Sequence, residues 1–212
     1  MTQQSTYKVK LVANDKIIEY LKSKDTVFEM LFNKYGYARL ERNANIFESI
    51  VSNIIGKQLS NKVKQVIYNR FISLVKTVTP ENILNTDKEL IRQCGISYSK
   101  ISYIKELSEN VLSGKYDFNN LNKLNDEDLI KELCKIKGVG KWTAEMLALF
   151  SLGRENIISY DDVALRNGII KAKGYKSLSK QRFEQLKKKY SPYCSIASLY
   201  FYAHNDNELR WK

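Results

Sequence analysis

Three features of the sequence predict an all-α fold. Apolar residues recur at helical spacing in one segment after another. Only two prolines occur in 212 residues. A Gly138-Val139-Gly140 turn joins two of the helical segments into a hairpin. The chain is one domain or two small ones, long enough to bury a sizeable core, and its helices are expected to be joined by short loops.

Taken in order, residues 1–15 are polar, with a short alternating piece (Tyr7, Val9, Leu11) that reads as an edge strand or an ordered arm. Asp15 is placed to cap a helix through Ile17, Ile18 and Leu21, and Thr26 to cap the next, with Phe28, Leu31 and Phe32 apolar and Tyr35-Gly36-Tyr37 ending it. Phe47, Ile50, Val51 and Ile54 mark a helix from Ile46 to Ile55. Ser60 caps a longer one carrying Val63, Val66, Ile67, Phe71, Leu74 and Val75, and Thr79-Pro80 starts a short one, since proline is tolerated in a first turn. Thr86, with Glu89 three residues on, reads as a capping box for a helix that ends at Gly95. Ser97 or Ser99 opens the next, which ends at Gly114 and leads into a linker over 115–123. Ser179 caps a basic helix ending Lys187-Lys188-Lys189-Tyr190, and Ser191-Pro192 opens the last one, through Ile196, Leu199 and Tyr200.

The stretch from Leu133 to Gly168 organises the rest. Asn125 caps the preceding helix with Asp128 in capping-box position, and Leu129, Ile130, Leu133 and Ile136 form its apolar stripe. Gly138 and Gly140 are expected to permit positive φ and close backbone approach. A helix then restarts from Trp142 to Leu152, and the first turn of a helix has N–H groups with no intrahelical acceptor. A glycine turn feeding such a terminus, flanked by Lys137 and Lys141, suits a phosphate. About twenty residues on, Asp161-Asp162 follows Ile157-Ile158 and precedes a helical pattern at Val163, Leu165, Ile169 and Ile170.

Lys and Arg total 35 against 23 Asp and Glu, a net charge of +12 that suggests a polyanionic partner. Cys94, Cys134 and Cys194 lie too far apart for a disulfide framework or a zinc site, and they lack the packed cluster of four that an iron–sulfur centre needs. The single histidine, His204, reads as a surface residue and leaves acid–base work to carboxylates. The first residues contain no apolar signal region, and no apolar run approaches about 18 residues, so no membrane partner is expected and the cytoplasm, at the nucleoid, is the expected location.

The run LCKIKGVGKWTAEMLALF followed by SYDDVALRNG resembles the helix-hairpin-helix DNA glycosylases of the Gly/Pro-Asp superfamily, and most of all the 3-methyladenine DNA glycosylase II type. Ile54 to Ser60 is similar to the loop after that family's first core helix, and Leu90 to Ser97 with Lys100 and Tyr103-Ile104 to its central helix pair. The resemblance covers roughly residues 45–204. It implies two helical lobes with a cleft between them: a central lobe over 46–154 and a second lobe joining 1–45 to 155–212.

It also implies a base-excision enzyme that flips alkylated purines out of double-stranded DNA and hydrolyses the N-glycosidic bond. The implied catalytic carboxylate is Asp162, with Asp161 the better helix cap. The implied base pocket draws on Trp142, Tyr202, Tyr160 and Met146, the last standing where the family often has another aromatic. A cationic methylated purine gains about 0.5 to 2 kcal/mol on such a ring. Gly138, Gly140, Lys141 and Thr143 would grip phosphate; Gln58, with Leu59 its apolar rival, would wedge into the emptied stack beside Ser60. Backbone carbonyls of Cys134, Ile136 and Val139 would hold a monovalent cation, and no other cofactor and no iron–sulfur cluster is implied. Glycosylases that also cut the strand use a lysine two residues after the second hairpin glycine; that position is Trp142, and Lys141 points about 100° away round a helix. A monofunctional, monomeric hydrolase is therefore expected. The alternatives are a glycosylase of the same fold for uracil, mispaired or oxidised bases, and a non-catalytic helix-hairpin-helix DNA-binding module.

Overall fold

A computed structural model describes residues 6–207. The five residues at each end of the expected second lobe, 1–5 and 208–212, lie outside the described residues. The described chain is dominated by helices, with a two-stranded sheet. It separates into two compact units: one takes residues up to Tyr7 and Ala44–Leu147, the other Lys8–Asn43 and everything from Ala148 onward.

The sheet pairs β1 (Thr6–Val12) with β2 (Arg39–Asn45). In β1, Tyr7, Val9 and Leu11 point inward, as their alternation suggests. β2 was not legible: RLERNAN is polar and mostly exposed, with no alternation to announce a strand.

Unit one is built on α3 (Ile46–Gly56), whose Ile46, Phe47, Ile50, Val51, Ile54 and Ile55 are all buried. Around it come α4 (Asn61–Val75), α5 (Pro80–Asn85), α6 (Lys88–Gln93) and α7 (Tyr98–Leu112). A short 3-10 helix over Phe118–Lys123 lies inside what composition suggests is a plain linker, with Phe118 and Leu121 buried. Then follow α8 (Asp126–Cys134) and α9 (Lys141–Phe150).

Unit two holds α1 (Asp15–Lys24), α2 (Val27–Tyr35), α10 (Val163–Lys173), α11 (Lys180–Tyr190) and α12 (Cys194–Asp206). Its core is an aromatic cluster in which Phe28 meets Tyr190 edge-on at 5.1 Å and Phe201 at 5.5 Å. α10 and α12 pack so closely that a Cβ on Gly168 would sit 2.0 Å from the Phe201 carbonyl oxygen. Asp25 is buried at the centre of a polar node, accepting from Lys173 Nζ at 2.6 Å, Tyr190 Oη at 2.7 Å and the Val27 N–H at 3.2 Å.

Several caps differ from their expected place. α1 is capped by Asn14, whose Oδ1 accepts the Ile17 N–H at 3.0 Å; Asp15 is already helical. Thr26 makes no cap hydrogen bond: its backbone is already helical, at φ −59° and ψ −18°, and Asp25 before it takes the Val27 N–H. Thr86 ends α5, donating to the Asn82 carbonyl at 2.6 Å, and the carboxylate of Asp87 opens α6 by accepting the Glu89 and Leu90 N–H groups. Ser97, not Ser99, caps α7. Ser191-Pro192 does not open the last helix: Ser191 ends α11, its peptide bond to Pro192 is cis, and α12 starts at Cys194. His204 is not a surface residue; it is 9% exposed on α12, with Nδ1 at 3.3 Å from the Tyr35 hydroxyl. The three cysteines form no disulfide. Among the described residues no helix is long and apolar enough to cross a membrane.

Candidate nucleic-acid interface and catalytic carboxylate

The hairpin begins with the box that caps α8: Asn125 Oδ1 accepts the Asp128 N–H at 2.9 Å and Asn125 Nδ2 donates to Asp128 Oδ2 at 2.8 Å. Beyond α8 the backbone tightens into i→i+3 bonds, Ile136 N–H to Leu133 at 3.2 Å and Val139 N–H to Ile136 at 3.0 Å. Gly138 then turns the chain with φ +87°. A side chain there would also fail for space: its Cβ would lie 3.0 Å from the Tyr103 ring and 3.3 Å from Ile54. Gly140 differs from expectation. It has no positive φ, and a Cβ on it would meet nothing within 4 Å. Its missing side chain leaves open approach to the start of α9, whose first internal bond runs from the Ala144 N–H to the Gly140 carbonyl at 2.9 Å.

On α9, Trp142 is 41% exposed while Thr143 and Met146 are buried. Lys141 is exposed, and its ammonium lies 3.9 Å from Glu145. Cys134 is exposed, and Ile136 and Val139 are buried. The Ile136 carbonyl already accepts the Val139 N–H, leaving it one lone pair for a cation. No group of three or more His, Cys, Asp or Glu side chains that could hold a metal occurs among the described residues.

The loop after α3 holds Gln58, exposed, in the left-handed region at φ +62°, unusual for a residue other than glycine. Leu59 beside it is half-buried, and Ser60 Oγ accepts the Val63 N–H at 3.4 Å as the cap of α4. All of these residues belong to unit one.

The remaining candidates belong to unit two. Asp162 is 7% exposed and is itself the cap of α10: Oδ1 accepts the Leu165 N–H at 2.8 Å. Asp161, expected to be the cap, is exposed. The capping role falls to Asp162 because the helix starts one residue later than the pair suggests. Tyr160 is half-buried, edge-on to Phe183 at 5.3 Å, with the Arg166 guanidinium 5.0 Å over its ring. Tyr202 has no exposed surface and lies 5.9 Å from the Phe150 ring.

Sequence patterns did not mark the residues that set this backbone. The Ser195 hydroxyl accepts the Ile157 N–H at 3.0 Å and donates to the Arg154 carbonyl at 2.5 Å, and its N–H reaches Glu155 at 2.9 Å. These bonds fix the segment that leads to Asp162. Arg42, on β2, donates through Nε and its terminal nitrogen to the Phe150 carbonyl, closing the end of α9. Both are long-range pairs between elements that no local pattern connects.

Residues 51–192 match the HhH-GPD superfamily base excision DNA repair protein family. The chain belongs to the HhH-GPD superfamily. It is 38% identical over 126 residues to the DNA-3-methyladenine glycosylase 1 of Schizosaccharomyces pombe, a match spanning 58% of this chain and only 55% of that protein. Its structure is similar to that of a DNA-3-methyladenine glycosidase from Bacillus halodurans, with TM-score 0.81 and 33% identity over 92% of each chain. It is also similar to the S. pombe 3-methyladenine DNA glycosylase solved with abasic DNA, with TM-score 0.76 and 30% identity over 89% of this chain and 95% of that one. As an HhH-GPD member, the chain carries the hairpin over 134–141 and the following aspartate within the matched region.

Proposed function

We propose that this HhH-GPD protein is a monofunctional DNA glycosylase that removes alkylated purines of the 3-methyladenine and 7-methylguanine type from duplex DNA. The observation that carries the reading is Asp162: a carboxylate withdrawn from solvent, fixed at the N-terminus of α10 by one oxygen, and following a glycine hairpin in a chain of this family. The similarity to two 3-methyladenine glycosylases supports the substrate class.

The hairpin grips phosphate without reading sequence, through the open backbone at Gly140, the first turn of α9 with Thr143, and Lys141. Gln58, flanked by Leu59 and Ser60, enters the gap left by the flipped nucleotide, which costs a few kcal/mol to unstack. Trp142, the exposed ring of unit one's candidates, stacks on the cationic base. As the C1′–N bond breaks, its electron pair neutralises the cationic purine and the sugar becomes positive. The Asp162 carboxylate stabilises that charge and accepts the proton of the water that adds to C1′. The products are free base and an abasic site. With Trp142 where a lyase needs lysine, no Schiff base forms.

Backbone carbonyls of Cys134, Ile136 and Val139, at the negative end of α8, would hold a monovalent cation; uncharged oxygens suit a hard, weakly charged ion. The protein works as a monomer on DNA in the cytoplasm, at the nucleoid. The test is release of free methylated base from alkylated duplex DNA, together with borohydride trapping. Base release without a trapped adduct supports the proposal; intact substrate, or a covalent adduct, overturns it.

A further inference from the structure

The carbonyls at the end of α3 are satisfied from an unexpected direction. No basic residue lies in the last turn of α3. Instead Lys100, in the first turn of α7, reaches across and donates from one ammonium to the Ile55 carbonyl at 2.8 Å and the Lys57 carbonyl at 2.8 Å. The Leu59 N–H closes back on Gly56 at 3.1 Å, so the loop has one anchor on each side of Gln58. Gln58 is held between them at φ +62°, a conformation strained for a residue other than glycine. One turn further along α7, the Tyr103 ring packs on Gly138, where a Cβ would be 3.0 Å away, and Ile54 of α3 meets the same glycine. A single helix therefore contacts both the loop and the hairpin, within one unit.

We infer that Lys100 is a positioning residue: it pins the 57–59 loop so that Gln58 is presented rigidly to the duplex, while Tyr103 holds the hairpin in register with it. The inference rests on the glycosylase reading and adds a residue to it. A side chain that must enter the base stack as a nucleotide leaves works only if its backbone does not yield, and a misplacement of about 1 Å can cost two orders of magnitude in rate. A two-carbonyl ammonium clamp supplies that stiffness where the residue at positive φ is glutamine and not glycine.

The experiment compares wild type, Lys100→Met, Lys100→Arg, Gln58→Ala and the Lys100→Met/Gln58→Ala pair in single-turnover release of methylated purine. Each is run on duplex and on single-stranded DNA, with melting curves alongside. Lys100→Met keeps the aliphatic stem and removes the donors. It should slow release from duplex about ten- to a hundred-fold and change release from single strands, where no stack needs filling, by less than about three-fold. Lys100→Arg should restore most of the duplex rate. In the Gln58→Ala background, Lys100→Met should add almost nothing, the non-additivity of two residues acting through one loop. Equal losses on both substrates, additive losses, or an Arg variant as slow as Met would overturn the inference, and the Arg comparison stands even if Lys100→Met melts early. A wild type that releases no base on either substrate overturns the glycosylase reading itself; an active wild type matched by Lys100→Met overturns this inference alone.

Discussion

Asp162 has two demands on one side chain. One oxygen caps α10, and the carboxylate as a whole is proposed to face the reacting sugar. The two demands separate by substitution, because asparagine caps a helix about as well as aspartate but carries no charge. Asp162→Asn should therefore melt within a degree or two of wild type yet release no methylated base, whereas Asp162→Ala should lose both activity and about 1 kcal/mol of stability. Asp161→Asn, at an exposed position that caps nothing, should leave both readouts near wild type. Base release and thermal melting on the three variants decide between cap and catalyst. The pair of aspartates was legible in the sequence; which of the two caps was not, since both follow an apolar run and the choice depends on where the chain turns into the helix. The contacts of Lys100 and Ser195 were illegible for a different reason: each acts on backbone atoms of another segment, so no local pattern points at its partner.

At the level of elements, helices announced themselves by apolar spacing and Ser or Asn caps, and Ser60, Thr79, Asn125 and Ser179 cap where the pattern places them. Misplaced starts came from adjacent candidates, Asn14 beside Asp15 and Thr86 beside Asp87, where one residue of shift decides. The closeness of α10 to α12 sets a strict limit. Gly168→Ala would drive a methyl into the Phe201 carbonyl, and the two helices must part, at a cost of about 3 kcal/mol or more; chemical denaturation should show it, or the variant should fail to fold. The Asp25 node gives unit two an acid limit. Burial alone would raise this carboxyl, but hydrogen bonds from Lys173, Tyr190 and the Val27 N–H outweigh it and hold it below the usual 3.8. A carboxyl depressed in the fold stabilises above its unfolded value and loses that contribution as pH falls through the folded one. The melting midpoint should thus drop steeply below about pH 4. Asp25→Asn should flatten that acid limb and, by leaving the half-buried Lys173 without its counter-charge, cost about 2 kcal/mol at neutral pH.

For the whole molecule, a net charge of +12 sets the expected behaviour on DNA. Binding to undamaged duplex should weaken about ten-fold or more between 50 and 200 mM salt, and Lys141→Ala should reduce the slope of log affinity against log salt by about one while sparing specificity; a titration series in salt measures both. The charge and the family hairpin were legible because they are compositional and contiguous. The division of the described chain into two units depends on which distant segments close together, and no contiguous pattern shows that. Unit two draws on both ends of the chain: Tyr35 meets His204, and Asp25 meets Lys173, with residues 44–147 belonging to the other unit. A ribosome makes about 5 to 20 residues each second. Helices α1 and α2 thus emerge roughly 7 to 30 s before their partners exist, with Ile18, Leu21, Phe28 and Leu31 uncovered, so each newborn copy passes through an interval in which chaperones compete with its own unfinished tail.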